Sequence, residues 1–422
     1  MTASSAGSNT TTVHLDVTLT HLWQTARKND HPAALWRLPN QSEKQLIVHL
    51  GEPLAEQQPI DLDERPPGFA IGLFDAPGHG TASDDFARAF YLHADRHIVL
   101  DADGQLLYRP TPETTATRAF DQATYLAANQ PTNLSDPVSF TEQPDPEAQA
   151  AFEANVAEAV EAMKAGRFWK VVLSRTKTLT FGNVPDVVTL FDRLCAAYPT
   201  AFVSAVSLPE GTGGRPAQVW LSATPERLAS VDANGIFRTV ALAGTQSAYT
   251  PEGVMKRTAD ALWSQKEIEE QALVSRYIIG CFKKIRLREY MEEGPKTAQA
   301  GNLMHLCSQY SVDTRAVNFP QLGTVMLRLL HPTSAVCGMP RPEALDFILT
   351  HEQHDRGFYA GFVGPVNIDG ASQLFVHIRC LLLAGKTATL YAGAGLTEDS
   401  DPQKEWLETE MKCQTLLRGM QG

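Results

Sequence analysis

Apolar residues recur along this chain with two periods, about 3.6 and two, and the alternation between them predicts helices and strands in succession. Val13 to Arg27 carries Leu15, Val17, Leu19, Leu22 and Trp23 and is predicted to be a helix. Ala33 to Leu38, Gln45 to Leu50, Gly68 to Phe74, Phe90 to Leu92, His97 to Leu100 and Leu106 to Tyr108 are predicted strands, and together they describe an antiparallel sheet. Ala119 to Ala128 reads as a helix. Gln130 to Pro146, rich in Pro, Asn, Asp and Ser, reads as a connection. The next helix is clearly punctuated: Asp145 caps it, Pro146 opens it and Gly166 ends it. Phe152, Val156, Val160 and Met163 form its buried stripe.

A strand follows from Trp169 to Thr180, in which Lys170 shares a face with Val172 and Ser174. From position alone, a lysine there is more simply a side chain snorkelling at a sheet edge than one placed for chemistry. Gln218 to Ser222 and Thr239 to Thr245 are predicted strands, the second ending at a glycine. A helix is predicted over Ala259 to Lys284, and Glu267 and Glu270 lie three apart on it; Ser264 and Glu267 match a capping box. Pro342 to His354 reads as a helix, Gly357 to Val366 and Leu374 to Leu383 as strands. Arg379 would then share a strand face with Phe375, His377 and Leu381. An arginine in that setting needs an acidic partner or a carboxylate ligand.

The most informative stretch is close to the C-terminus. Ala388 to Tyr391 reads as a strand end, Gly393 and Gly395 as a turn, and Ser400 and Pro402 as the cap and first turn of a helix. Glu405, Glu408 and Lys412 fall on one face of that helix. A glycine turn, a helix start and two carboxylates beside a lysine suit an anionic ligand held through a metal. Acidic residues near a helix start also serve the dipole alone, so this segment leaves both readings open.

Composition narrows the classes. The chain has 422 residues, 43% of them hydrophobic, and a formal charge of −12. That is ample for a large core, and the acidic balance argues against binding nucleic acid or an anionic membrane. Six scattered cysteines without a C-x-x-C pair point to reduced thiols in a cytosolic protein. Met1 to Thr12 is small and polar, lacks the marks of a signal peptide or anchor, and is expected to be a disordered tail. No apolar run is long enough for a membrane span. His351 and His354 do not form a zinc motif.

Several motifs occur in order: Lys170-Val-Val-Leu-Ser-Arg175, Pro225-Glu-Arg-Leu228, Ala241-Leu-Ala-Gly-Thr245, Lys266-Glu-Ile-Glu-Glu270, Leu330-His-Pro-Thr333, Arg356-Gly-Phe-Tyr-Ala-Gly361, Ile378-Arg379, Gly393-Ala-Gly395, and the run from Ser400 through Glu405 and Glu408 to Lys412. Together they resemble the chorismate-utilising enzymes, and isochorismate synthases most closely. The resemblance is dense from Asp145 to Leu417 and loose over the first 140 residues.

The resemblance implies an α/β (α+β) fold in which two antiparallel sheets pack together with helices outside. Residues 13–140 would be a sheet and helix portion of the same globular unit, and 141–422 the catalytic region. It implies a Mg²⁺ site with Glu270 and Glu408 as direct ligands and Glu267 and Glu405 holding metal-bound water. Lys170 matches a general base and Glu226 a general acid. Arg379, Lys412, Gly244, Thr245, Gly393, Ala394 and Gly395 match the anchors of the substrate carboxylates. His305, His331, Thr333, Ala335 and Tyr391 match further pocket positions. The implied reaction converts chorismate to isochorismate by water attack at C2 and loss of the C4 hydroxyl, expectedly for menaquinone biosynthesis in the cytoplasm, by a monomer or weak homodimer.

Within the family, Lys170 and Ala243 favour water over ammonia as nucleophile, against anthranilate and aminodeoxychorismate synthases. Ala241, where salicylate synthases usually have proline, weakly favours stopping at isochorismate over eliminating pyruvate. Gln271, Ser334 and Cys337 depart from the usual pattern, and the resemblance puts them around the ring pocket. A chorismate-binding module without catalysis is the alternative outside enzymology. The presence of Lys170, Glu226 and all four glutamates speaks against it.

Overall fold

A computed structural model describes residues 17–54, 56–75, 87–128, 139–250, 252–300 and 303–421. The expected tail, Met1 to Thr12, lies outside them, as do residues 13–16 of the first predicted helix and most of the predicted connection. The strands form one sheet of eleven and one of nine, and every pairing between named strands is antiparallel. Strands from the first hundred residues extend both sheets. Ala33–Arg37 pairs with Phe202–Leu208 in the larger sheet, and Gly68–Gly72 with Phe362–Val366 in the smaller.

The sheets face one another across a core that includes Trp36, Phe69, Phe202, Trp220 and Phe375. Phe202 of the larger sheet stacks on Phe375 of the smaller at 4.1 Å between centroids. The other face of the larger sheet carries a second core beneath the helices Leu19–Lys28, Val187–Ala197 and the end of Pro402–Gln421. The larger sheet is therefore apolar on both faces, which explains continuous buried runs such as Phe202–Leu208 where strict alternation would leave one face polar. All six cysteines are free thiols. Among the described residues no helix is long and apolar enough to cross a membrane.

The elements around the cleft differ instructively from expectation. Leu374 to Leu383 is two strands: Ser372–Val376 belongs to the smaller sheet and Cys380–Ala384 to the larger. Arg379 sits at the crossing with φ +49°, so it shares no strand face with Phe375 and Leu381. The strand expected to stop at Gly244 runs from Ile236 to Ser247, and its register shifts between Ala243 and Gln246. Gly244, at φ +70°, serves this bulge and does not end the strand. The predicted turn at Gly393 and Gly395 is also extended strand, Thr387–Leu396. What these two positions require is close approach. A Cβ on Gly395 would stand 2.6 Å from Glu270 Oε1, and one on Gly393 2.8 Å from the Tyr359 hydroxyl.

Helix ends follow the local chemistry. Ser264 and Glu267 do form a capping box, and the helix begins there, at Gln265–Lys284, not at Ala259. Pro402–Gln421 is capped by Asp401, whose Oδ1 accepts the Lys404 N–H at 2.9 Å; Ser400 instead accepts from Thr397. Asp145 Oδ1 accepts the N–H groups of Glu147 and Ala148 at the start of Ala148–Lys164. The other predicted elements shift by a few residues. The exceptions are Gly357 to Val366, of which only Phe362–Val366 is strand, and the predicted connection, within which Phe140–Glu142 is a strand.

Candidate active site

A cavity of about 700 Å³ lies where the two sheets meet the helices Gln265–Lys284 and Pro402–Gln421. Of the residues picked from the sequence, its wall includes Glu226, Gly244, Thr245, Glu270, His305, Ala335, Arg379, Tyr391, Gly393, Gly395, Glu408 and Lys412. The two helices bring their first turns together, and Lys266 of one reaches Glu405 of the other at 2.5 Å. Glutamates far apart in sequence are thereby gathered at one end of the cavity.

Lys170 is not at a sheet edge. Its strand is paired on both sides, and its side chain is 1% exposed. Nζ donates to Glu270 Oε1 at 3.0 Å. Gly395 is what admits the pair: a Cβ there would meet both Glu270 Oε1 and Lys170 Cε. Burial works to raise the Glu270 carboxyl, but the Lys170 charge and hydrogen bond outweigh it and hold the group below its usual value.

Glu226 follows the strand Gln218–Thr224 in a short link to the smaller sheet. Its backbone is fastened, donating to Thr224 Oγ1 and accepting from Val376 N–H. Its carboxyl has no hydrogen bond among the described residues and faces the cavity. Burial pushes it up to about 7, against the pull of Lys170, Arg379 and Lys412. Glu226 therefore offers a proton-holding carboxyl to the cavity, while Lys170, which is not on the wall, is held against the wall residue Glu270 and close enough for its charge to act on Glu226.

Arg379 is buried, and one nitrogen donates to Thr415 Oγ1 at 3.2 Å. It makes no ion pair among the described residues, and burial holds it below its ordinary value despite Glu408. No acidic side chain among the described residues forms the ion pair the sequence demanded of it. Lys412 pairs with Glu408 at 2.7 Å and donates to the Gly393 carbonyl at 2.7 Å. His305 donates from Nδ1 to the Gly244 carbonyl at 2.8 Å, while buried Nε2 has no partner. Burial and the nearby cations Arg379 and Lys412 push this imidazole down to about 3, so it is neutral and its Nε2 is an acceptor.

Other predicted positions lie off the wall. His331 Nε2 bonds the Leu73 carbonyl and its ring packs on Phe362. Thr333 Oγ1 accepts from Ala335 N–H, and Ala394 is buried in its strand. Glu267 is engaged by its capping box. Glu405 keeps Oε2 buried without a partner. Gln271, Ser334 and Cys337 do not surround the cavity; Gln271, for instance, donates to Ser308 and Ser275 behind it. The wall also holds Val172, Pro225, Leu242, Val336, Tyr359 and Ile378, which were not singled out. Tyr359 stood inside a quoted motif, but only its stacking on Tyr391, 5.3 Å between centroids, shows that it faces inward. Among the described residues no three His, Cys, Asp or Glu side chains are already arranged as a metal site. Three of the four glutamates are engaged by lysines instead.

A family model described as "Chorismate binding enzyme" matches residues 93–421. Isochorismate synthase EntC of Escherichia coli (strain K12) is 31% identical over 271 residues, 64% of this chain and 66% of that protein. The salicylate biosynthesis isochorismate synthase of Pseudomonas aeruginosa is 32% identical over 323 residues, 75% of this chain and 65% of that protein. The chain thus spans just under two thirds of the length of these relatives. Among solved structures, MenF, the menaquinone-specific isochorismate synthase from Escherichia coli, superposes with a TM-score of 0.70 over 95% of this chain and 91% of that one. At 20% identity that likeness is one of fold.

Proposed function

The chain belongs to the chorismate-binding enzymes, and on that footing we propose that it is a Mg²⁺-dependent isochorismate synthase serving menaquinone biosynthesis. The observation that carries the reading is an opposed pair at the cavity: Lys170 buried against the wall residue Glu270, and Glu226 on the wall, kept in reach of a proton at neutral pH by burial. As the neutral amine, having first given up the proton that pairs it with Glu270, Lys170 would take a proton from water as the water oxygen bonds to ring C2. The ring double bonds shift, and the C4 hydroxyl leaves as water with the proton of Glu226. The buried, unpaired guanidinium of Arg379 and the ammonium of Lys412 would hold substrate carboxylates. Neutral His305 would accept a hydrogen bond from a substrate hydroxyl through Nε2.

The donor set fits a hard cation. It is all carboxylate oxygen, Glu270 and Glu408 face the cavity, and Glu405 has a buried oxygen to spare. Glu270 and Glu408 would bind Mg²⁺ directly, with Glu267 and Glu405 acting through water. Bound there, Mg²⁺ supplies positive charge beside the ring carboxylate. Glu408→Ala is expected to lower Mg²⁺-dependent turnover by more than about 100-fold, beyond what loss of an outer-shell partner costs. Calorimetric Mg²⁺ titration should weaken in parallel; near-normal turnover and titration would remove the metal assignment.

The reaction class is tested by incubating the protein with chorismate and Mg²⁺, with and without EDTA, and identifying products by proton NMR. Isochorismate without pyruvate, lost on chelation, is the expected result. Salicylate with pyruvate would move the chain to the salicylate synthases. Products that form only with added ammonia would overturn water as nucleophile.

A further inference from the structure

A second hollow of about 1040 Å³ opens beside the cavity, walled by Ser247, Tyr249, Leu303, Met411, Gln414 and Arg418 among others. Its position follows from register. Ser247 lies two residues beyond the cavity residue Thr245 on one strand, and Leu303 two before His305 on the next. Ser247 and Leu303 are paired directly. On the regular strand side chains two apart share a face, so Leu303 lies on the face of His305, and Ser247, just past the bulge that holds Thr245, is opposite Leu303. The third wall is one helix. Glu408 and Lys412 line the cavity, and Met411, Gln414 and Arg418 line the hollow along the same helix.

The cations are also connected. Arg418 lies three residues beyond Thr415, whose hydroxyl receives Arg379. Tyr198, which donates to the Thr415 carbonyl, is within electrostatic range of both Arg379 and Arg418 and of Tyr249. Arg418 is exposed and has no ion pair among the described residues. Its place in the last helical turn suits the dipole, but that alone does not account for an unpaired guanidinium on the wall of the hollow. On a chain of net charge −12, a dianion is repelled unless a local positive potential draws it in.

We propose that this hollow is an outer receiving site for the dicarboxylate substrate, in which Arg418 takes one carboxylate before the molecule passes inward to Arg379. This rests on the reading of the inner cavity as a chorismate site. Polar Ser247, Tyr249 and Gln414 beside apolar Met411 suit a small ring bearing carboxylates.

The test compares steady-state kinetics with chorismate at low and high ionic strength. Arg418→Glu is expected to lower kcat/KM about 10-fold at low salt, the lower end of the range for electrostatic steering. The deficit should shrink as salt screens the charge, while kcat at saturation stays within about two-fold. Arg418→Lys should retain kcat/KM. Arg288→Glu makes the same change of net charge past the far end of Gln265–Lys284 and should leave it unaltered. An Arg418→Glu protein with unchanged kcat/KM at low salt, or one matched by Arg288→Glu, would overturn the receiving site and leave the inner site standing. A wild-type protein that neither binds nor converts chorismate would overturn both.

Discussion

Lys170→Ala is expected to lower kcat with chorismate by about 10³-fold, the middle of the range for losing a positioned acid or base, while chorismate still binds. Turnover is read by the appearance of isochorismate, and binding by calorimetry. The expectation rests on where the amine is. Lys170 is 1% exposed and its Nζ is held 3.0 Å from Glu270 Oε1, so no other side chain can simply move into its place. The variant carries a structural penalty that must be separated from a chemical one. Breaking a buried ion pair from one side costs about 3–5 kcal/mol, because the remaining charge is stranded. Glu270 would respond by binding protons more readily, since Lys170 is what holds its carboxyl below the usual value against burial. Lys170→Gln is therefore the better chemical test. It keeps a hydrogen-bond donor toward Glu270 and removes the base. If both variants retained kcat and lost only binding, Lys170 would be a substrate anchor and the proposed proton transfer would have to be reassigned.

Glu226→Gln is expected to have a comparable effect, about 10²- to 10⁴-fold in kcat. An amide of nearly the same shape fills the position but has no proton to give a leaving hydroxyl. The pH dependence sharpens the test. The Glu226 carboxyl is pushed up to about 7 by burial, and a general acid works only while protonated. The kcat of the wild type should therefore fall as pH rises through about 7, and that limb should be absent from the residual rate of Glu226→Gln. A wild-type profile flat from pH 6 to 8, or a variant that keeps the limb, would remove Glu226 from the role of acid. The same shift acts on stability, and its sign is definite. Between about 4.5 and 7 the folded protein binds more protons at this residue than the unfolded chain does, so this contribution to stability declines as pH rises across that window. Glu226→Gln should flatten that decline in urea denaturation at several pH values.

The resemblance read from the sequence, and the fold class it implied, agree with the two antiparallel sheets and with the family match. The local reasoning was sound where neighbours in sequence decide the outcome. The capping box at Ser264 and Glu267 formed as the residues require, and so did the stripe Phe152, Val156, Val160 and Met163. It failed where a distant contact overrides a local preference. Gly393 and Gly395 looked like a turn because glycine is permissive. They are extended because Tyr359 and Glu270 press against the strand and leave no room for a Cβ. Arg379 looked like part of one continuous strand because its neighbours alternate. The chain in fact changes sheets there, and no spacing within the segment records which sheet each half will join. Lys170 looked like an edge lysine because nothing nearby in sequence neutralises it.

Residue types, helix caps, amphipathic stripes and the order of motifs were determined by the sequence alone, since each depends on atoms within a few residues of one another. The tertiary structure decided which charges meet. Lys170 and Glu270 are 100 residues apart and Lys266 and Glu405 139 apart. Those pairings, the isolation of Arg379 and the upward push on Glu226 come from packing two sheets and two helices around one space. Burial and electrostatic pairing depend on distance through space, and distance along the chain does not determine that.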